Sequence, residues 1–94
     1  MSFRNDLAEN LLHARLDSGM TQRELGRRSG VGANAISQYE NAHRSPDVYR
    51  LALIAVALGV SPAELIPRPQ PIWLQGDHEP DNMTIYDIIE DDNA

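Results

Sequence analysis

The sequence predicts an all-α fold, and three kinds of signal lead there. Thr21 with Glu24, and Ser61 with Glu64, have the spacing of capping boxes, in which a hydroxyl and an acid three residues on satisfy free amides at a helix start. Gly19, Gly30 and Gly59 stand where helices stop. Between these points apolar residues recur at helical spacing, as in Leu7, Leu11 and Ala14 or Leu51, Ala55 and Leu58.

Taken in order, the first helix spans Phe3 or Arg4 to about Asp17, with Leu12 and Leu16 extending the Leu7-Leu11-Ala14 stripe and Gly19 as its stop. The second starts near Gln22. Leu25 is its main inward residue, and Gly30 ends it near Ser29 by taking the left-handed conformation, with Val31 plugging the turn. The third runs from about Ala33 to Glu40, with Ile36 and Tyr39 three apart on one face. The fourth begins after Pro46, is capped by Asp47, turns Val48, Leu51, Ala55 and Leu58 inward, and ends at Gly59. Ser61-Pro62-Ala63-Glu64 then opens a short fifth helix with a cap, a first-turn proline and a capping-box acid. Pro67, Pro69 and Pro71 force an extended spacer, and from Asp77 the chain turns acidic. For Met83 to Glu90 two readings stand. Thr84 followed by Asp87 is a cap for a short helix, whereas Met83, Ile85 and the β-branched content suit a strand.

Length and composition narrow the function. Ninety-four residues make one small domain, large enough for a helical core and too small for most two-lobed enzyme sites. There is no cysteine, hence neither a disulfide frame nor a thiolate metal site, and all eight basic residues are arginine. Without lysine the chain cannot be a P-loop nucleotide binder or a Schiff-base enzyme, since both need that amine. His13, His43 and His78 are too dispersed for a metal motif, and Asp91-Asp92 reads as solvated charge, so neither catalysis, metal nor cofactor is expected. No apolar run with a cleavage pattern points to export, and the cytoplasm is the expected location, with no membrane partner.

The net charge of −6 looks wrong for a partner of nucleic acid until it is divided along the chain. Residues 1–66 hold seven arginines and seven acids, so the whole imbalance falls on residues 67–94, with one arginine against seven acids. Between Thr21 and Arg50 the balance is five arginines to three acids, a modest attraction for phosphate. The third helix is unusual in another way. Opposite Ile36 and Tyr39 it carries Ala33, Asn34, Ser37 and Gln38, short or amide side chains without charge, which suit a helix inserted in a major groove. Asn and Gln can bond adenine bidentately, Ser can donate or accept, and an Ala methyl can touch thymine.

At this point the chain resembles the phage-repressor/Cro-like (XRE-type) helix-turn-helix proteins. The resemblance runs from about Asn10 to Ile66 and rests on several residues in register: Arg15, Thr21-Gln22 with Leu25, Gly30-Val31, Ile36 with Tyr39-Glu40-Asn41, Arg44 with Pro46, and Ala55 with Leu58-Gly59-Val60. It implies a five-helix lambda-repressor-like bundle (residues 1–66) whose third helix is the reader, followed by a spacer and acidic C-terminal extension (67–94). Gly32 departs from the family's frequent Ser or Thr cap, which costs about a few tenths of a kcal/mol and predicts a slightly frayed helix start.

By the same resemblance Arg15 and Glu40 form a salt bridge between the first and third helices; the competing reading is two independent solvated charges. Ala33, Asn34, Ser37 and Gln38 are the expected base readers. Thr21 and Gln22 at the second helix's N-terminus, and Asn41, His43 and Arg44 after the third, are the expected phosphate contacts. Arg23, Arg27 and Arg28 read first as a solvated face. Family members commonly carry polar residues at the positions of Tyr49, Leu53 and Val56, so here something must cover them: a second copy, or Ile72-Trp73-Leu74 folding back. The expected function is a sequence-specific DNA-binding regulator, a repressor acting as a homodimer on double-stranded DNA. The rival is an antitoxin or interaction module whose acidic arm binds a protein partner and whose DNA binding is autoregulatory.

Overall fold

The computed structural model describes residues 2–69 of the chain. Five helices follow one another: α1 (Phe3–Asp17), α2 (Gln22–Ser29), α3 (Ala33–Glu40), α4 (Val48–Leu58) and α5 (Pro62–Leu65). Among the described residues there is no strand. The readings that concern Trp73, its neighbours Ile72 and Leu74, and the stretch from Met83 to Glu90 lie outside them.

The helix starts follow from side-chain acceptors placed where the first turn leaves amides free. Ser2 Oγ accepts from the Asn5 amide, Thr21 Oγ1 from Glu24 and Asp47 Oδ1 from Arg50, at 3.0, 3.0 and 2.8 Å. At Ser61 the box is complete, with Ala63 N–H donating to the hydroxyl at 3.2 Å and Ser61 N–H to the Glu64 carboxylate at 3.0 Å. At Thr21 only half of the expected box forms. The Glu24 carboxylate lies 2.8 Å from Arg28 Nη2, one turn on, so a full positive charge takes the acid that was expected to return to the Thr21 amide.

Leu7, Leu11, Leu25, Ile36, Tyr39, Leu51, Ile54, Ala55, Leu58 and Leu65 make one core to which every helix contributes. Leu11, Leu25, Ile36, Ile54 and Leu65 are fully buried, each contributing about 1.5–3 kcal/mol. Two expectations need correction. Val48 is 85% exposed, because it opens α4 one turn beyond the packed stripe, and Ile54 takes its place in the core. Leu16 is exposed too: it lies five residues past Leu11, about 140° around the helix, while Ala8 is buried instead.

The α2–α3 corner is set by backbone contact. A Cβ built on Gly26 would fall 2.3 Å from Ala33 N and 2.4 Å from the Gly32 carbonyl carbon, so no other residue fits there without separating the helices. Gly26 O accepts from both Gly30 N–H and Gly32 N–H, at 3.0 and 3.1 Å. Gly32, the N-cap of α3, makes no side-chain cap bond and has φ +95°, a conformation that a Ser or Thr would adopt only with strain. Its departure from the family pattern therefore has a backbone cause. No helix among the described residues is long and apolar enough to cross a membrane.

Candidate nucleic-acid interface

The corner fixes α3 with Ile36 and Tyr39 buried and Asn34 exposed; Ala33, Ser37 and Gln38 are half-buried. The four uncharged side chains thus share an accessible side of a helix anchored from behind. Asn34 is the most open of them. Ser37 Oγ lies within 3.4 Å of Asn41 Nδ2, which donates to it from just beyond the helix end.

Behind α3 sits a buried polar network. Arg15 Nε donates to Glu40 Oε2 at 2.6 Å and Arg15 Nη2 to Glu40 Oε1 at 3.0 Å, a two-pronged pair whose side chains are only 11% and 3% exposed. Arg15 Nη1 donates to the Met20 carbonyl at 2.8 Å, so one guanidinium ties α1, the α1–α2 loop and α3 together. Gln22 joins the same carboxylate, its Nε2 donating to Glu40 Oε1 at 2.9 Å. The residue expected to clamp phosphate is therefore itself fastened to the ion pair, at the N-terminus of α2. Among the described residues no buried side-chain nitrogen or oxygen lacks a partner.

The loop after α3 wraps back on it. His43 and Arg44 N–H both donate to the Gln38 carbonyl, at 2.9 and 3.3 Å, and Asn41 N–H to that of Ser37 at 3.0 Å. This reversal puts Ala42 at φ +60°, strained for any residue with a Cβ. Arg44 Nη1 donates to Gln38 Oε1 at 3.1 Å, and the guanidinium carbon lies 5.9 Å from the centroid of the Tyr39 ring.

Charge around the face is uneven. Arg23, Arg27, His43 and Arg44 are exposed, whereas Arg28 and Arg50 are held by Glu24 and Asp47 at 2.8 and 2.6 Å. Asp47 accepts from the Arg50 backbone amide and faces its guanidinium, which together hold its carboxyl below the ordinary value. On α4, Tyr49 and Val56 are 69% and 78% exposed, with Leu53 half-buried between them. Among the described residues no group of His, Asp and Glu is arranged to hold a metal ion.

Gly26, the Gln22–Glu40 bond, the Arg44–Gln38 bond and the strained Ala42 escape the sequence reading. A glycine inside a helix flanked by a capping residue and arginines was a usable signal, since an interior glycine costs about 1 kcal/mol against alanine and needs a packing reason.

A helix-turn-helix family model matches residues 11–65, which contain α2, the turn and α3 whole. The chain belongs to the phage-repressor/Cro-like helix-turn-helix family. It is a DNA-binding transcriptional regulator and not an enzyme. An uncharacterized HTH-type transcriptional regulator of Sinorhizobium fredii, y4dJ, is 38% identical over 66 residues, covering 70% of this chain and 86% of that protein. Among solved structures, the hypothetical transcription factor NHTF from Neisseria is 30% identical with a TM-score of 0.67, covering 73% of this chain and 79% of its own. The DNA-binding domain of the P22 C2 repressor is 29% identical with a TM-score of 0.63, covering 87% and 96%.

Proposed function

We propose that this regulator is a repressor that binds, as a homodimer, two half-sites about one DNA turn (~34 Å) apart. The observation that carries the reading is the single face of α3 on which Ala33, Asn34, Ser37 and Gln38 are accessible while Ile36 and Tyr39 are buried. In this reading those four touch base edges. Thr21, Gln22, Asn41, His43 and Arg44 flank them and contact phosphate. The likeness to a repressor domain supports the direction of regulation.

Two copies are favoured on energetic grounds. Between Thr21 and Arg50 five arginines oppose three acids, so one copy binds weakly and salt-sensitively, and a tethered second copy multiplies the affinity. The exposed Tyr49 and Val56, with Leu53 between them, offer an apolar surface for that second copy. Residues 1–66 are then the DNA-binding unit, and residues 67–94 an arm appended to it.

Mobility shifts of the full chain on the DNA upstream of its own gene test the reading, with light scattering for the oligomer and a promoter fusion for repression. The expected result is a protected, two-fold symmetric site, a dimer mass and lowered reporter output. Asn34→Ala should reduce discrimination between that site and scrambled DNA, while Gln22→Ala weakens both alike. Equal affinity of the unaltered chain for every sequence, or raised reporter output, would overturn it.

A further inference from the structure

We infer that Arg44 decides which base Gln38 reads, by holding the amide oxygen and turning the amide N–H pair outward, so that this position prefers guanine to adenine. The inference rests on the DNA-reading role proposed for α3 and gives one of its positions a base identity.

A guanidinium has donors and no acceptor, so only the oxygen end of the Gln38 amide can face Arg44 Nη1 at 3.1 Å. Chemistry thus settles which way round the amide sits. Arg44 is itself restrained on two further sides. Its guanidinium carbon lies 5.9 Å from the ring centroid of the buried Tyr39, and its own N–H, with that of His43, donates to the Gln38 main-chain carbonyl. Gln38 therefore has both its main-chain and side-chain carbonyl oxygens engaged by the same short loop.

The consequence for base reading follows from the edge patterns of the major groove. A glutamine reads adenine by using both ends of its amide at once, the oxygen accepting from N6–H and the nitrogen donating to N7. With the oxygen drawn to Arg44, which takes one of its two lone pairs and pulls it toward the loop, the end best placed to meet a base is Nε2 with its two N–H groups. Guanine presents two acceptors there, O6 and N7, and thymine one, O4. Adenine presents one acceptor, N7, beside its N6 amino group, so it can take one N–H but sets donor against donor at the other, and cytosine presents only a donor. The neighbouring guanidinium charge works in the same direction, since it favours an edge made of acceptors. Arg44 is in this sense a positioning residue, which acts on the operator through Gln38.

The test is selection from a randomised duplex library by the full-length chain, by Gln38→Ala and by Arg44→Ala, followed by competition shifts on the selected sites. Gln38→Ala marks the base pair that depends on Gln38. The unaltered chain should prefer guanine there by about tenfold over adenine. Arg44→Ala, by freeing the oxygen, should bring adenine level with guanine or above it. If Arg44 only contacts phosphate or braces the loop, its removal lowers affinity for all sequences and leaves the base order unchanged, which overturns the inference. An adenine at the Gln38-dependent position of the unaltered chain overturns it too, with the proposed function intact. Selection of no sequence at all overturns both.

Discussion

Replacing Glu40 by alanine removes the acceptor on which α1, α2 and α3 converge. The Glu40 side chain is 3% exposed and accepts from Arg15 Nε at 2.6 Å, Arg15 Nη2 at 3.0 Å and Gln22 Nε2 at 2.9 Å. Its loss leaves a guanidinium of 11% side-chain exposure with the Met20 carbonyl, 2.8 Å away, as its remaining anchor. Breaking one side of a buried ion pair costs about 3–5 kcal/mol, because an uncompensated charge stays behind. The retained Met20 bond puts this case near the low end, about 3 kcal/mol. For a domain of this size that is a fall in Tm of roughly 12–24 °C. Urea and thermal unfolding followed by far-ultraviolet circular dichroism measure it. The variant Arg15→Met/Glu40→Met, which leaves no charge unpaired, should lose less than Glu40→Ala alone. A loss below about 1 kcal/mol for Glu40→Ala, the value of an exposed pair, would refute the reasoning, as would a double variant no more stable than the single.

Three further outcomes follow from the backbone and the caps. Gly26→Ala should destabilise by at least about 1–3 kcal/mol in urea titrations, since its Cβ would meet backbone atoms of Gly32 and Ala33; a neutral result would mean that the helices do not touch there. Ala42→Gly should stabilise by roughly 0.5–1 kcal/mol by relieving the left-handed conformation at φ +60°, and a lower urea midpoint would contradict that geometry. Asp47 has its pKa lowered from 3.8 in the folded chain, so its contribution is present above that value and is lost as pH falls through the lower, folded one. The stability difference between the unaltered chain and Asp47→Asn should therefore shrink progressively as pH falls from just above 3.8 through the lower, folded value, and a difference that is constant through acid titration would show that Asp47 is not held by Arg50.

Helix ends were legible because each is written in a few adjacent residues. Thr21, Asp47 and Ser61 at starts, and Gly19, Gly30 and Gly59 at stops, act locally, and the five helices fall where these residues put them. The phase of α4 was not legible in the same way. From Leu51 to Val60 no charged residue marks an outer side, so nothing in the pattern separates Ile54, which is buried, from Val56, which is exposed. The outward side chains of α3 could be picked out because Ile36 and Tyr39 fix its inner side. The couplings among them could not. Gln22 to Glu40 spans 18 residues, and Arg44 reaches Gln38 only because the loop doubles back through Ala42, a path that no periodicity records.

The meeting of Gly26 with the backbone of Gly32 and Ala33 bears on how such a protein can change its target. The tilt of the reader is fixed where main chain abuts main chain, so the outward side chains are relieved of any duty in holding that angle. Under the role proposed for α3, Asn34, Ser37 and Gln38 can accordingly be exchanged as a set, as letters are changed in a rigid typeface, and the docking frame stays put while a different operator is spelled.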